Sequence, residues 1–180
     1  MDSSEIIKLD NKETFKQVFE GHFNALCSFG YRYVKDKSAV EDFTQEVFIS
    51  LWDKRQNFEH INAVKAFLYT SVRNKCLNQL KHQVVVQKNE ITMIKDLEHE
   101  QFFTSHVIEE ESFNLLTTEI RDLPEASRGV MILALNGLTN NEIAGELNIS
   151  INTVKTQKKI AYSKLKKKLG PVFKVIMLSF

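Results

Sequence analysis

Apolar residues in the first half of the chain recur at intervals of three and four, the spacing of one face of an α-helix. Phe15, Val18, Phe19, His22, Phe23, Leu26 and Cys27 follow this rule, and Gly30 can stop the helix they define. The pattern predicts helices over about 12–29, 38–54 and 62–83. Val40, Phe43, Val47 and Leu51 form the inner stripe of the second, and Val64, Leu68, Val72 and Cys76 that of the third. After the short run Val84-Val85-Val86 the periodicity fades into polar and acidic residues with isolated Ile, Leu and Phe. That stretch reads as a tether with at most a transient helix. Helical spacing returns over 113–121 and 124–135, with Pro124 suited to a first helical turn, before Asn136-Gly137 turns the chain.

The next forty residues carry the sharpest local signals. Thr139-Asn140-Asn141-Glu142 is a capping box that starts a helix, with Ile143, Ala144 and Leu147 on its inner face. Asn148 occupies the following turn, where a left-handed backbone is expected and Asn tolerates it better than any residue but Gly. Ser150 caps a last helix that buries Val154, Ala161 and Leu165. Asn152, Thr153, Lys155, Thr156, Lys158 and Lys159 are left for solvent or for a major groove, where Lys and Asn meet phosphates and base edges and Thr a thymine methyl. This is a helix-turn-helix. A plain helical hairpin with a solvated Lys face is the bland alternative, and the Asn and hydroxyl residues beside the Lys weigh against it.

The expected fold is therefore all-α, two small helical domains joined by a linker. The domains are residues 9–84 and 113–170, the acidic linker 85–112, and an apolar tail 171–180 follows. With only 6 Gly and 2 Pro in 180 residues, helix is favoured over turn-rich sheet. No apolar run approaches a membrane span, and Met1-Asp2-Ser3-Ser4-Glu5 lacks the basic flank of a signal peptide, so a cytoplasmic protein is expected. Cys27 and Cys76 have neither zinc-site spacing nor disulfide-scaffold density and read as reduced core residues. No metal and no cofactor is expected.

Net charge is only +1, yet it is distributed in blocks. Residues 61–89 carry five basic side chains and no acid, and residues 151–170 carry seven Lys and no acid. Residues 96–112 carry six acids and no Lys or Arg. Such blocks point to different partners for different segments. On the second helix, Asp42, Glu46, Ile49 and Asp53 lie opposite the core stripe, flanked by Gln45 and Trp52. Large apolar side chains among acids on an outward face mark a protein interface. On the third helix, Thr70, Asn74, Asn78 and Lys81 lie outward, with Lys65, Tyr69 and Arg73 at the border. Amides and cations beside a ring suit unpaired bases, although Tyr69 is as readily packed as exposed.

A family resemblance is visible at these residues. LPEASRGVMILALNGLTNNEIAGELNISINTVKTQKKIAYSKLKKKL resembles the promoter-binding fourth domain of extracytoplasmic-function sigma factors, although response regulators end in a similar helix-turn-helix. AVEDFTQEVFISLW is similar to the helix by which sigma factors grip the coiled coil of the largest RNA polymerase subunit. That similarity implies polymerase-binding roles for Asp42, Gln45, Glu46, Ile49 and Trp52. AFLYTSVRNKCLNQLKH is similar to the segment that recognises and melts the minus-ten element, implying DNA contacts by Lys65, Tyr69, Thr70, Arg73, Asn74, Asn78 and Lys81. The loop KRQNFEHIN lies where the family holds a flipped-out base, and Phe58 is as suited to anchoring that loop as to touching DNA. The resemblance implies core RNA polymerase and promoter DNA as partners, with an anti-sigma factor as a further candidate and no bond chemistry by the chain itself.

Two other readings stay open on the residues alone. A dimeric helix-turn-helix regulator of duplex DNA would have no use for the Asp42/Gln45/Glu46/Trp52 face. An enzyme with Asp42 and Glu46 as metal ligands would need further ligands on facing helices, for which His22 is the nearby candidate. The tail, with Val172, Phe173, Val175, Ile176, Met177, Leu178 and Phe180, is more apolar than a free end should be and is expected to pack back on the protein.

Overall fold

The structure, a computed structural model, describes residues 6–84, 97–171 and 173. Its elements among these residues are seven α-helices: α1 (Lys12–Tyr31), α2 (Lys37–Asp53), α3 (Ile61–Val84), α4 (Glu100–Arg121), α5 (Glu125–Leu135), α6 (Asn140–Glu146) and α7 (Ile151–Leu169). They fall into two compact units, Met1–Glu111 and Ser112–Phe180.

In the first unit, α1 begins where the Asn11 side chain accepts from the Glu13 amide at 2.8 Å, and α2 where Asp36 accepts from the Ala39 amide at 3.2 Å. Each cap satisfies an amide that the first helical turn leaves without a partner. The core is built from the stripes the periodicity predicts: Leu26 and Phe29 of α1, Val40, Val47 and Leu51 of α2, and Val64, Leu68, Val72 and Cys76 of α3 are all buried. Thr44 also lies inside, its hydroxyl satisfied by donating to the Val40 carbonyl at 2.8 Å. Gly30 is where the three helices meet. A Cβ there would stand 2.7 Å from Val40 Cγ1 and 3.2 Å from Val72 Cγ1, so only glycine permits this approach.

The segment before α1 also belongs to this core. Leu9 is buried, the Ile7 amide donates to the Glu59 carbonyl at 2.9 Å, and Ile6 forms a single antiparallel bridge with His60. The loop from α2 to α3 is thereby tied to the start of the chain, and Arg55 adds an ion pair with Asp10 at 3.0 Å.

The expected tether differs from what is found after residue 96. Residues 85–96 lie outside the described residues, but Leu97 is buried in the first core and α4 is already helical from Glu100. Phe102, Phe103 and Val107 pack against that core, while the acids of the same segment pair with Arg32, which caps the end of α1, and with cations of α3. The local pattern looked like disorder because both the apolar surface and the countercharges it needs are far away in sequence.

The second unit contains the last turns of α4 with α5, α6 and α7. Leu116 and Ile120 of α4 pack with Leu123, Met131, Ala161, Leu165 and Leu169, and a smaller cluster joins Val130, Ile143, Ala144 and Val154. The capping box is present in both directions, with the Glu142 amide donating to Thr139 Oγ1 at 3.3 Å and the Thr139 amide donating to Glu142 Oε2 at 2.7 Å. Asn148 has φ 51°, the left-handed turn expected between α6 and α7. Leu147, expected on the inner face of α6, is instead exposed, because the helix has already ended at Glu146. Of the apolar tail, Phe173 packs on this core near the Tyr162 ring; Val172 and residues 174–180 lie outside the described residues.

Candidate protein and nucleic-acid interfaces

Three surfaces collect the candidate residues. On α2 the core stripe turns Asp42, Gln45, Glu46 and Ile49 outward, and Ile49 is 62% exposed. Trp52 is half-buried, its ring edge-on to Phe15 at 4.9 Å and covered on one face by the Arg55 guanidinium at 4.4 Å. Glu46 pairs with Lys75 of α3. Gln45, Ile49 and Trp52 line an open groove of about 420 Å³ whose other wall is Phe15, Phe19 and Phe23 of α1, with Phe48 between them. A groove with apolar walls fits an apolar knob on a partner helix.

The α1 wall was missed in the sequence because all seven residues of that helix's pattern were assigned to a single stripe. Seven apolar or aromatic positions in thirteen residues are more than one buried face can hold. Val18, Leu26 and Phe29 take the core, and Phe15, Phe19 and Phe23, spaced by four, form a second, half-exposed ridge.

On α3, Thr70, Asn74 and Asn78 are exposed. The charged candidates are not free. Lys65 pairs with Glu111, Arg73 lies 3.7 Å from Glu100 and donates to the Glu98 carbonyl, and Lys81 pairs with Glu98 at 2.6 Å. Tyr69 differs from its expected border position: it is 1% exposed, packed edge-on to Phe29 at 5.1 Å, and donates its hydroxyl to Glu111 Oε1 at 2.9 Å. Burial, reinforced by the Glu110 and Glu111 charges, pushes its phenol far up. Its ring is a core element held under α4, with no face left for a base to stack on. Burial would raise the Glu111 carboxyl too, but His22 and Lys65 more than offset this and hold it at about 2. Phe58 anchors the α2–α3 loop by packing on Phe67 at 5.1 Å.

On α7, Asn152, Thr153, Lys155, Thr156 and Lys159 are exposed and Lys158 is half-buried. The Ser150 oxygen accepts from the Thr153 amide at 3.0 Å, which fixes the helix start. Two of the hydroxyls have local partners, Thr153 with Ser150 at 2.8 Å and Thr156 donating to the Asn152 carbonyl at 2.9 Å. Gln157, which the sequence did not single out, accepts from the buried Ser127 hydroxyl at 2.7 Å and so ties α7 to α5. The ion pairs among the described residues of this unit gather at Lys168, with Glu119 at 2.7 Å and Asp122 at 2.9 Å, at the opposite end of α7 from Lys155.

Among the described residues, no group of three or more His, Cys, Asp or Glu is arranged to hold a metal ion. None of their helices is long and apolar enough to cross a membrane.

Residues 18–84 match the family described as Sigma-70 region 2, and residues 125–169 match that of bacterial regulatory proteins of the luxR family. The chain is 25% identical to the ECF RNA polymerase sigma factor RpoE of Cereibacter sphaeroides, over 89% of this chain and 88% of the relative. It is 24% identical to the ECF RNA polymerase sigma factor SigX of Bacillus subtilis, over 81% and 78%. With the RNA polymerase sigma factor YlaC of Bacillus subtilis it shares 20% identity over 89% and 95%. The chain thus carries a sigma-70 region 2 domain followed by a luxR-type helix-turn-helix domain, and along most of its length it is similar to sigma factors of the extracytoplasmic-function type.

Proposed function

We infer that this chain directs transcription initiation by binding core RNA polymerase through the α1–α2 groove and promoter DNA through α3 and α7. The observation that carries the reading is the outward face of α2, where Ile49 stands exposed beside Asp42, Gln45 and Glu46 at the edge of an apolar groove. A regulator that acts on duplex DNA alone has no use for such a face. The division of labour follows from chemistry. Acids on α2 meet cations of the polymerase while Ile49 and the phenylalanine ridge take up its apolar side chains. Thr70, Asn74 and Asn78 offer hydrogen bonds to the edges of unpaired bases, and Lys155 and Lys159 offer charge to duplex phosphates. The polymerase carries out the bond chemistry, and this subunit contributes specificity and holds the strands apart. An anti-sigma factor would act by covering the same groove.

The test is the double substitution Asp42→Lys and Glu46→Lys. Both sites are exposed, and losing the Glu46–Lys75 pair costs at most about 1 kcal/mol. Helicity by circular dichroism is expected unchanged while core polymerase no longer co-elutes with the variant. Full polymerase binding by the folded variant would remove the basis of this reading and leave the duplex-DNA regulator as the better one.

A further inference from the structure

We propose that residues 97–111 form a displaceable acidic strap that occupies the cations of α3 and must be lifted off before α3 can hold an unpaired DNA strand. The inference rests on reading α3 as the strand-binding face and adds to it a reason why the free chain would bind single strands poorly.

The pairing is ordered. Going down α3, Lys65 meets Glu111, Arg73 meets Glu100 and the Glu98 carbonyl, and Lys81 meets Glu98. The strap therefore runs antiparallel to α3, and its carboxylates reach cations spaced eight residues apart, about 12 Å. All three cations assigned to DNA are engaged, and Arg73 is only 15% exposed, with its guanidinium also over the Phe103 ring at 4.8 Å. The uncharged candidates Thr70, Asn74 and Asn78 stay open. Carboxylate oxygens thus sit where phosphate oxygens would have to sit, and the strap and a nucleic-acid backbone compete for the same three groups.

The attachment is of a kind that can be released. Leu97 and Glu110 are the buried residues of the strap, and Phe102, Phe103 and Val107 are half-buried. The Lys81–Glu98 and Arg73–Glu100 pairs reach solvent, where ion pairs contribute little and are screened by salt. A second anchor, Arg32 with Glu109 and Glu110 at 3.0 Å each, lies at the C-terminal cap of α1 and is independent of the cations of α3. Segments held by few buried contacts open at the low end of a protein's stability range.

The experiment uses the full chain and a fluorescent single-stranded DNA oligonucleotide of mixed sequence. Glu98→Gln, Glu100→Gln and Glu111→Gln together remove the competing charge while leaving every candidate DNA residue and the Arg32 anchor in place. Affinity is expected to rise about tenfold, with the salt dependence steeper by about two ions, as three recovered phosphate contacts require for a single strand. A charge-matched control, Glu13→Gln, Glu20→Gln and Glu41→Gln, is expected to show less than a third of that gain. Equal gains in both variants, or none in either, would overturn the strap. Hydrogen exchange on the wild-type chain guards against misfolding of the variant: amides 100–111 are expected to lose protection when the oligonucleotide binds, and unchanged protection in the bound state would overturn the proposal. Binding of core polymerase is measured on the same samples. A wild-type chain that ignores polymerase would sink the functional reading, whereas a chain that binds polymerase but shows no strap effect would sink the strap alone.

Discussion

The two helices for which DNA contacts are proposed, α3 and α7, are built on opposite terms. On α3 every candidate cation is matched to an acid from the chain's own residues 98–111, and the one aromatic candidate is packed inside. On α7 Lys155 and Lys159 face solvent, and among the described residues the ion pairs of that unit gather at Lys168 in the last turn. A helix reading duplex DNA can stand ready, because a duplex is always available to it and nonspecific contacts are weak. A face for unpaired strands has no proper ligand until DNA has opened, and one left bare would collect any single-stranded nucleic acid in reach.

Tyr69→Ala breaks the comparison most sharply. Truncating a fully buried ring costs about 3–5 kcal/mol, so urea denaturation is expected to show the first unit destabilised by that amount while the second keeps its own transition. A stable first unit with a specific loss of strand binding would return Tyr69 to the DNA surface. Glu111→Gln is next, at about 1–3 kcal/mol, since it removes the charge and one of the two oxygens that accept from the buried Tyr69 hydroxyl and from Lys65. Its pH dependence has a defined sign. The folded carboxyl is held at about 2, below its ordinary 4.5, so its contribution is complete above 4.5 and disappears as pH falls toward 2. Stability curves of wild type and variant should converge over that interval, and a constant gap down to pH 2 would contradict the ion-pair assignment.

The exposed helix responds in another observable. Lys155→Ala with Lys159→Ala should flatten the salt dependence of duplex promoter binding by about two ions, while Lys65→Ala with Lys81→Ala in the intact chain should leave it nearly unchanged. Equal slopes for the two pairs would erase the distinction between open and covered cations. The smallest effect belongs to Thr139→Ala, which removes one half of the capping box and should lower the stability of the second unit by about 1 kcal/mol, measured by thermal denaturation.

The second unit was the more legible because its determinants are local. A capping box, a left-handed Asn148 and a capping Ser150 are each decided within four residues, and all three are found where the sequence puts them. The stripes of α2 and α3 were legible for a similar reason, since helical periodicity is read within one element. What escaped is what depends on distance along the chain. The α1 phenylalanine ridge shows its purpose only when α2 lies beside it. The Leu9 segment is ordered by Glu59 and His60, fifty residues on. Residues 97–111 read as a tether because neither the core that receives Phe103 nor the cations that receive Glu98 and Glu111 are sequence neighbours. Tyr69 was undecidable until that cover was known.

Gly30 has a mechanical consequence. Because the methyls of Val40 of α2 and Val72 of α3 both fill the space that a side chain at this position would take, close packing on α1 resists sliding of either helix, which would crowd its valine or open a gap behind it. The groove edge on α2 and the Asn74 side of α3 are therefore held at a fixed spacing, like two jaws on one pin. A load applied at Ile49 moves Asn74 as part of the same body, with little lost to bending.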